Sequence, residues 1–177
     1  MDLTKNQDEL TAAYLEGSVM VRISGRGSFK TSLPLKQFIQ HVMDDEKIDQ
    51  IFIDMKNCIG MDSTFMGVIT GLSVAARKRQ NKHIKLINMS DKNQNLLKAL
   101  GVDRVIDYSL FSDQEDSFST SPPADQQSLS LEDQNKADLA KTSLEAHICL
   151  SKLSSENKSK FKAVVEYLQD DVDNLDA

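Results

Sequence analysis

A short, nearly continuous apolar run from Ile48 to Met55, centred on Ile51-Phe52-Ile53-Asp54-Met55, restricts the fold of this chain more than any other feature. Its length is that of a strand, and a strand with little polar interruption belongs in the middle of a sheet, buried on both faces. The flanking segments have a different period. Before the run, Leu35, Phe38, Ile39, Val42 and Met43 recur at three- and four-residue spacings, with Pro34 in a first helical turn that tolerates it. After it, Phe65, Val68, Ile69, Leu72, Ala75 and Ala76 form a second helical stripe. That stripe ends in Arg77-Lys78-Arg79, cations suited to a helix C-terminus.

The same reading extends outwards. Val19, Val21 and Ile23 alternate with Met20, Arg22 and Ser24, and Glu16-Gly17 turns the chain back to Ala12-Ala13-Tyr14-Leu15, which predicts an opening hairpin. Ile84-Lys85-Leu86-Ile87 is the next strand. Asp91 can cap a helix through Leu96, Leu97 and Leu100, and Gly101 stops it before a strand at Val105-Ile106. The order ββαβαβαβ predicts an α/β fold, a mixed sheet covered by amphipathic helices.

Composition narrows the classes of function. A net charge of −6 and a pI near 5.1 argue against a protein that gathers Lys and Arg against a phosphate backbone, so no nucleic-acid partner is expected. No apolar run approaches the roughly 18 residues that span a bilayer, and Met1-Asp2-Leu3-Thr4-Lys5 lacks the basic-then-apolar order of a signal peptide. The expectation is a cytoplasmic protein with no membrane partner. Cys58 and Cys149 form neither a disulfide framework nor a metal spacing, and His41, His83 and His147 stand alone, so no metal is expected. Gly25-x-Gly27 is too short for a dinucleotide fingerprint and no Gly-Lys-Ser/Thr phosphate loop occurs, so no cofactor is expected either.

The chain is long for one compact unit. Residues 113–135 carry six acids, no Lys or Arg, five serines and Pro122-Pro123, the composition of a linker after a domain at 1–112. Those six acids account for the whole net charge. In residues 136–177, Leu139, Leu144, Ile148 and Leu150 precede Leu153, and Phe161, Val164, Val165, Leu168, Val172 and Leu175 repeat at helical spacing. Ser154-Ser155-Glu156-Asn157 offers caps for the second segment, so a C-terminal helical hairpin is predicted. Two short helices bury too little surface alone, and must pack on the first domain, on a second copy, or on a partner.

Chemistry concentrates at Met61-Asp62-Ser63-Thr64-Phe65-Met66-Gly67, where the central strand gives way to a helix. Asp62, Ser63 and Thr64 are all preferred capping residues, so each can simply cap that helix. A helix N-terminus also tolerates added negative charge, through its orphan N–H groups and the positive end of the macrodipole. Ser63 with Asp62 and a distant His83 could alternatively form a hydrolase triad, although no Gly-x-Ser-x-Gly elbow is present.

Asp62, Ser63, Thr64, Met66 and Gly67 resemble the phosphorylation loop of the STAS-domain anti-sigma factor antagonists, whose motif runs Asp-Ser-Ser/Thr-Gly-Leu/Met-Gly. Gly25-Arg26-Gly27, the region Leu96 to Val105 and the order of elements are similar to the same family over about residues 8–112. Phe65 departs, standing where the family usually has glycine. The resemblance implies a STAS-like fold, no catalysis, Ser63 as phosphoacceptor, and a partner-contact surface at Asp62, Ser63, Thr64, Phe65 and Met66. It implies binding to an anti-sigma factor serine kinase while Ser63 is unphosphorylated, release on phosphorylation, and resetting by a serine phosphatase. The alternative within the fold is a constitutive scaffold or complex subunit that is never phosphorylated. The C-terminal helices are expected to dock on the domain or to mediate self-association.

Overall fold

The computed structural model describes residues 7–79, 82–111 and 125–175. Strands β1 (Glu9–Leu15) and β2 (Ser18–Gly27) form the opening hairpin, turning through Gly17 at φ +68°, a left-handed conformation that glycine adopts freely. Helix α1 (Phe29–Met43) then leads to β3 (Gln50–Met61), α2 (Ser63–Lys78), β4 (His83–Met89), α3 (Asp91–Ala99) and β5 (Asp107–Leu110). After residue 125 come β6 (Gln127–Leu129), α4 (Lys136–Ser151) and α5 (Ser155–Leu175).

The strands form one mixed sheet in the order β5-β4-β3-β2-β1-β6. β2, β3, β4 and β5 run parallel, and the outer pairs β1–β2 and β1–β6 are antiparallel. β3 is central, as its apolar run predicts. Ile51, Ile53 and Met55 are fully buried on one face. The alternate face holds half-buried Phe52 and buried Asp54. Asp54 accepts from Arg22 Nε at 3.0 Å, from Asn88 Nδ2 at 2.8 Å and from the Lys56 amide at 3.0 Å, which satisfies a carboxylate that burial alone would penalise.

Two details differ from the sequence reading. Gly101, at φ +69°, ends α3 and leads into a single 3₁₀ turn, Val102–Arg104, that carries Val102 and then Ile106 into the core. The apolar pair Val105-Ile106 therefore packs under that turn, and the strand starts afterwards at Asp107. Within the segment of linker composition, Gln127–Leu129 pairs with β1 through Leu10↔Leu129. Asn135 caps α4 by accepting from the amides of Ala137 and Asp138.

α4 and α5 form the hairpin, with Ser154 accepting from the Asn157 amide at 3.0 Å. Ala146, Leu150 and Phe161 join the main core, while Ala140, Leu144 and Val172 form a smaller cluster between the two helices. α4 lies along α2 and also touches α1. Asn157 Nδ2 donates to the Leu100 carbonyl at 2.9 Å, tying the hairpin to the end of α3.

Candidate functional site

The Asp62–Gly67 segment lies at the carboxyl end of the sheet, where β3 stops. The Asp62 amide donates to the Gly27 carbonyl at 2.9 Å, which fixes the turn against the end of β2. Asp62 is extended at φ −95° and ψ 174°, the backbone of an N-cap. One carboxylate oxygen accepts from the Phe65 amide at 2.8 Å and caps α2; the other accepts from the Phe29 amide at 2.9 Å, at the start of α1. Two positive helix ends thus meet one carboxylate.

Ser63 is the first residue of α2 and is half-buried. Because Asp62 does the capping, the Ser63 hydroxyl is not used for it. Its Oγ lies 2.9 Å from Nε2 of His147 on α4. The other ring nitrogen, Nδ1, is 2.7 Å from the Ser143 carbonyl, which can only accept, so Nδ1 carries the proton. In the neutral ring Nε2 then accepts from the Ser63 hydroxyl. His147 is buried, with its ring edge-on to Phe161 at 5.4 Å between centroids.

Of the other residues expected at the contact surface, Thr64, Phe65 and Met66 are buried. Phe65 is wholly so, and its ring points inward over Gly27, where a Cβ would come within 2.8 Å of it. The large residue at the position of the motif glycine is therefore accommodated by a glycine on β2. Further along α2, a Cβ at Gly67 would overlap the Ala146 carbonyl and lie 2.7 Å from the Ala146 Cβ, so the two helices cross in near backbone contact. One turn later, Gly71 faces Cys149, whose Sγ would lie 3.9 Å from an added Cβ. Ser63, Gly67 and Gly71 thus form one i, i+4, i+8 stripe of α2 turned toward α4. A cleft of about 170 Å³ beside this crossing is lined by Lys36, Gly67, Gly71, Glu145, Ala146 and Cys149.

Burial pushes both thiols up from their ordinary range; for Cys58 it outweighs hydrogen bonding with Gly60, Gly27 and Asn93, and for Cys149 it outweighs the nearby Lys152. His83 begins β4 opposite Gln50, at the far end of the sheet from Ser63, so Ser63, Asp62 and His83 do not assemble as a triad. The histidine beside Ser63 is His147, its second nitrogen on a backbone carbonyl rather than a carboxylate, and both Asp62 oxygens are committed to backbone amides. Among the described residues, no three His, Cys, Asp or Glu side chains converge as a metal site, and no helix is long and apolar enough to cross a membrane. The Ser63–His147 pairing was not legible in the sequence, because 84 positions separate the two and no spacing signals it.

Three solved structures are similar in fold. An anti-sigma factor antagonist from Mycobacterium paratuberculosis aligns at 14% identity and TM-score 0.51, covering 59% of this chain and 87% of its own. The anti-sigma factor antagonist SpoIIAA in its unphosphorylated form aligns at 14% identity and TM-score 0.50, over 63% and 93%. A Thermotoga maritima protein described as a candidate anti-sigma factor antagonist aligns at 15% identity and TM-score 0.50, over 60% and 91%. At such identities the likeness establishes the fold. No curated protein sequence matches the chain. The family model described as "Mlab, STAS domain" matches residues 11–109, from β1 to β5 and across the whole Asp62–Gly67 turn, and the chain therefore belongs to the STAS-domain family.

Proposed function

We propose that this chain is an anti-sigma factor antagonist that binds an anti-sigma factor serine kinase while Ser63 is unphosphorylated and is released when that kinase phosphorylates Ser63. A serine phosphatase resets it. The protein acts by binding and performs no catalysis of its own. One observation carries the reading: Asp62 alone caps α2, which leaves half-buried Ser63, its hydroxyl on His147, at the positive end of a 16-residue helix with no capping duty. A phosphate there adds about −1.5 to −2 charges and three acceptor oxygens without removing a cap. The helix N-terminus tolerates the added charge, and the phosphate must displace His147 from the Ser63 oxygen.

At a partner interface the same charge faces desolvation and repulsion. Losing about 2.7 kcal/mol lowers affinity roughly a hundredfold, a size that clashing charge at an interface supplies. Asp62 and Ser63 form the accessible part of the contact, and Thr64, Phe65 and Met66 shape it from beneath. The solved anti-sigma factor antagonists that share the fold support this choice of partner class. Pull-down from native lysate with wild type, Ser63→Ala and Ser63→Asp as baits tests it. A kinase retained by the first two and lost with Asp is the expected result; the same partners on all three baits would make the protein a constitutive scaffold.

A further inference from the structure

Resting on that assignment of the partner face, we propose that the Ser63–Gly67–Gly71 stripe of α2 is a helix-docking surface occupied by the chain's own α4. A partner that uses it must displace α4 with a helix carrying small residues where Thr142, Ala146 and Cys149 stand. The surface is specific because it is a backbone surface. Gly67 leaves no room for a side chain against Ala146, and Gly71 meets Cys149, so only a helix with small residues at the crossing can come this close. At the end of the stripe, His147 takes the Ser63 hydroxyl, so docked α4 and a modifying enzyme compete for one oxygen.

Two further observations make α4 an occupant rather than part of the domain's minimum. The family match ends at residue 109, before α4 and α5 begin. The hairpin also has its own apolar seam. Ala140, Leu144 and Val172, with Ile148, Val165 and Leu168 beside them, hold α4 to α5. The two helices would therefore leave as a unit, withdrawing Ala146, Leu150 and Phe161 from the main core. The polar ties that resist departure include Lys36 to Glu145, Asn157 to the Leu100 carbonyl, Gln134 to the Lys30 carbonyl, and His147 to Ser63.

The test uses full-length protein and a fluorescent synthetic peptide of residues 134–153 as probe. Gly71→Cys places a thiol within reach of Cys149, and diamide takes up the two electrons and two protons released as the disulfide forms, locking α4 down. Ala146→Glu puts a bulky charge at the crossing and releases it. In the released variant Cys149 should react with a thiol reagent while core-buried Cys58 stays protected, which shows the sheet intact. Ala146→Glu should bind the peptide roughly tenfold or more tighter than wild type, whose own α4 competes. Oxidised Gly71→Cys should not bind it, and the same variant should bind it once reduced.

Equal binding by oxidised and reduced Gly71→Cys, or none by the reduced form, would overturn the proposal, as would absence of binding to Ala146→Glu with Cys149 open. If Ala146→Glu exposes Cys58 as well, the oxidised and reduced pair alone decides. No phosphate enters the experiment, so its failure leaves the Ser63 switch standing, and failure of the switch leaves this result readable.

Discussion

Asp62 joins the first turns of two helices, accepting from the Phe29 amide of α1 through one oxygen and from the Phe65 amide of α2 through the other. Losing the cap alone costs about 1 kcal/mol, and the second bond, also to a charged acceptor, adds a similar amount. Asp62→Ala should therefore lower stability by about 2 kcal/mol, or roughly 4–8 °C in Tm for a chain of this size. Asp62→Asn keeps one acceptor and should lose about half of that. Thermal melts of the three proteins check the ordering.

Ser63→Ala leaves the buried Nε2 of His147 without its hydroxyl, and an unsatisfied buried polar atom costs about 1–3 kcal/mol. Replacing both partners by apolar groups should cost less than the two single changes together. A double-mutant cycle of Ser63→Ala and His147→Leu in urea should show a coupling of about 0.5–1.5 kcal/mol. A coupling near zero would mean that the hydroxyl does not meet the imidazole in solution.

Gly67→Ala forces a methyl group into the Ala146 backbone. Overpacking of this kind costs about 1–3 kcal/mol, despite the gain in helix propensity from Gly to Ala. Gly71→Ala meets only ordinary van der Waals distance and should be neutral or slightly stabilising. Unfolding free energies of the two variants from denaturant titration should move in opposite directions or differ by more than about 1 kcal/mol, the lower end of the overpacking cost.

Both thiols are held in the protonated form by burial, so at neutral pH neither should react quickly with an aromatic disulfide reagent. Cys149, the more exposed, should react before Cys58, and both rates should rise with pH beyond the ordinary thiol value of 9.0. The sign for stability follows. A raised folded-state pKa contributes fully below the unfolded value and is lost as pH rises toward the folded one, so stability should decline in alkaline solution above about pH 9. Stability measured between neutral and alkaline pH checks this decline.

Much of the fold is written locally. The alternation at Val19–Ser24, the apolar run to Met55 and the stripe from Phe65 to Ala76 each name their element, because burial has the period of the backbone that presents it. The Val105-Ile106 pair misled because apolar residues under a turn look like a strand when the turn's own packing is unseen. At the site, the helix start, Ser63 and the candidate caps were legible, but the division of labour was not. Only the approach of α1 shows why Asp62 rather than Ser63 or Thr64 is the cap, and only the approach of Gly27 shows why Phe65 fits. His147 came from a helix 84 residues away, and no periodicity in either segment points to the other.

The most direct test of the switch is the phosphate occupancy of Ser63 in protein recovered from its own cells, measured by peptide mass spectrometry separately in the kinase-bound and free pools. The account predicts phosphate on Ser63 in the free pool and none in the bound pool. Equal occupancy in the two pools, or no phosphate on Ser63 in either, would contradict it.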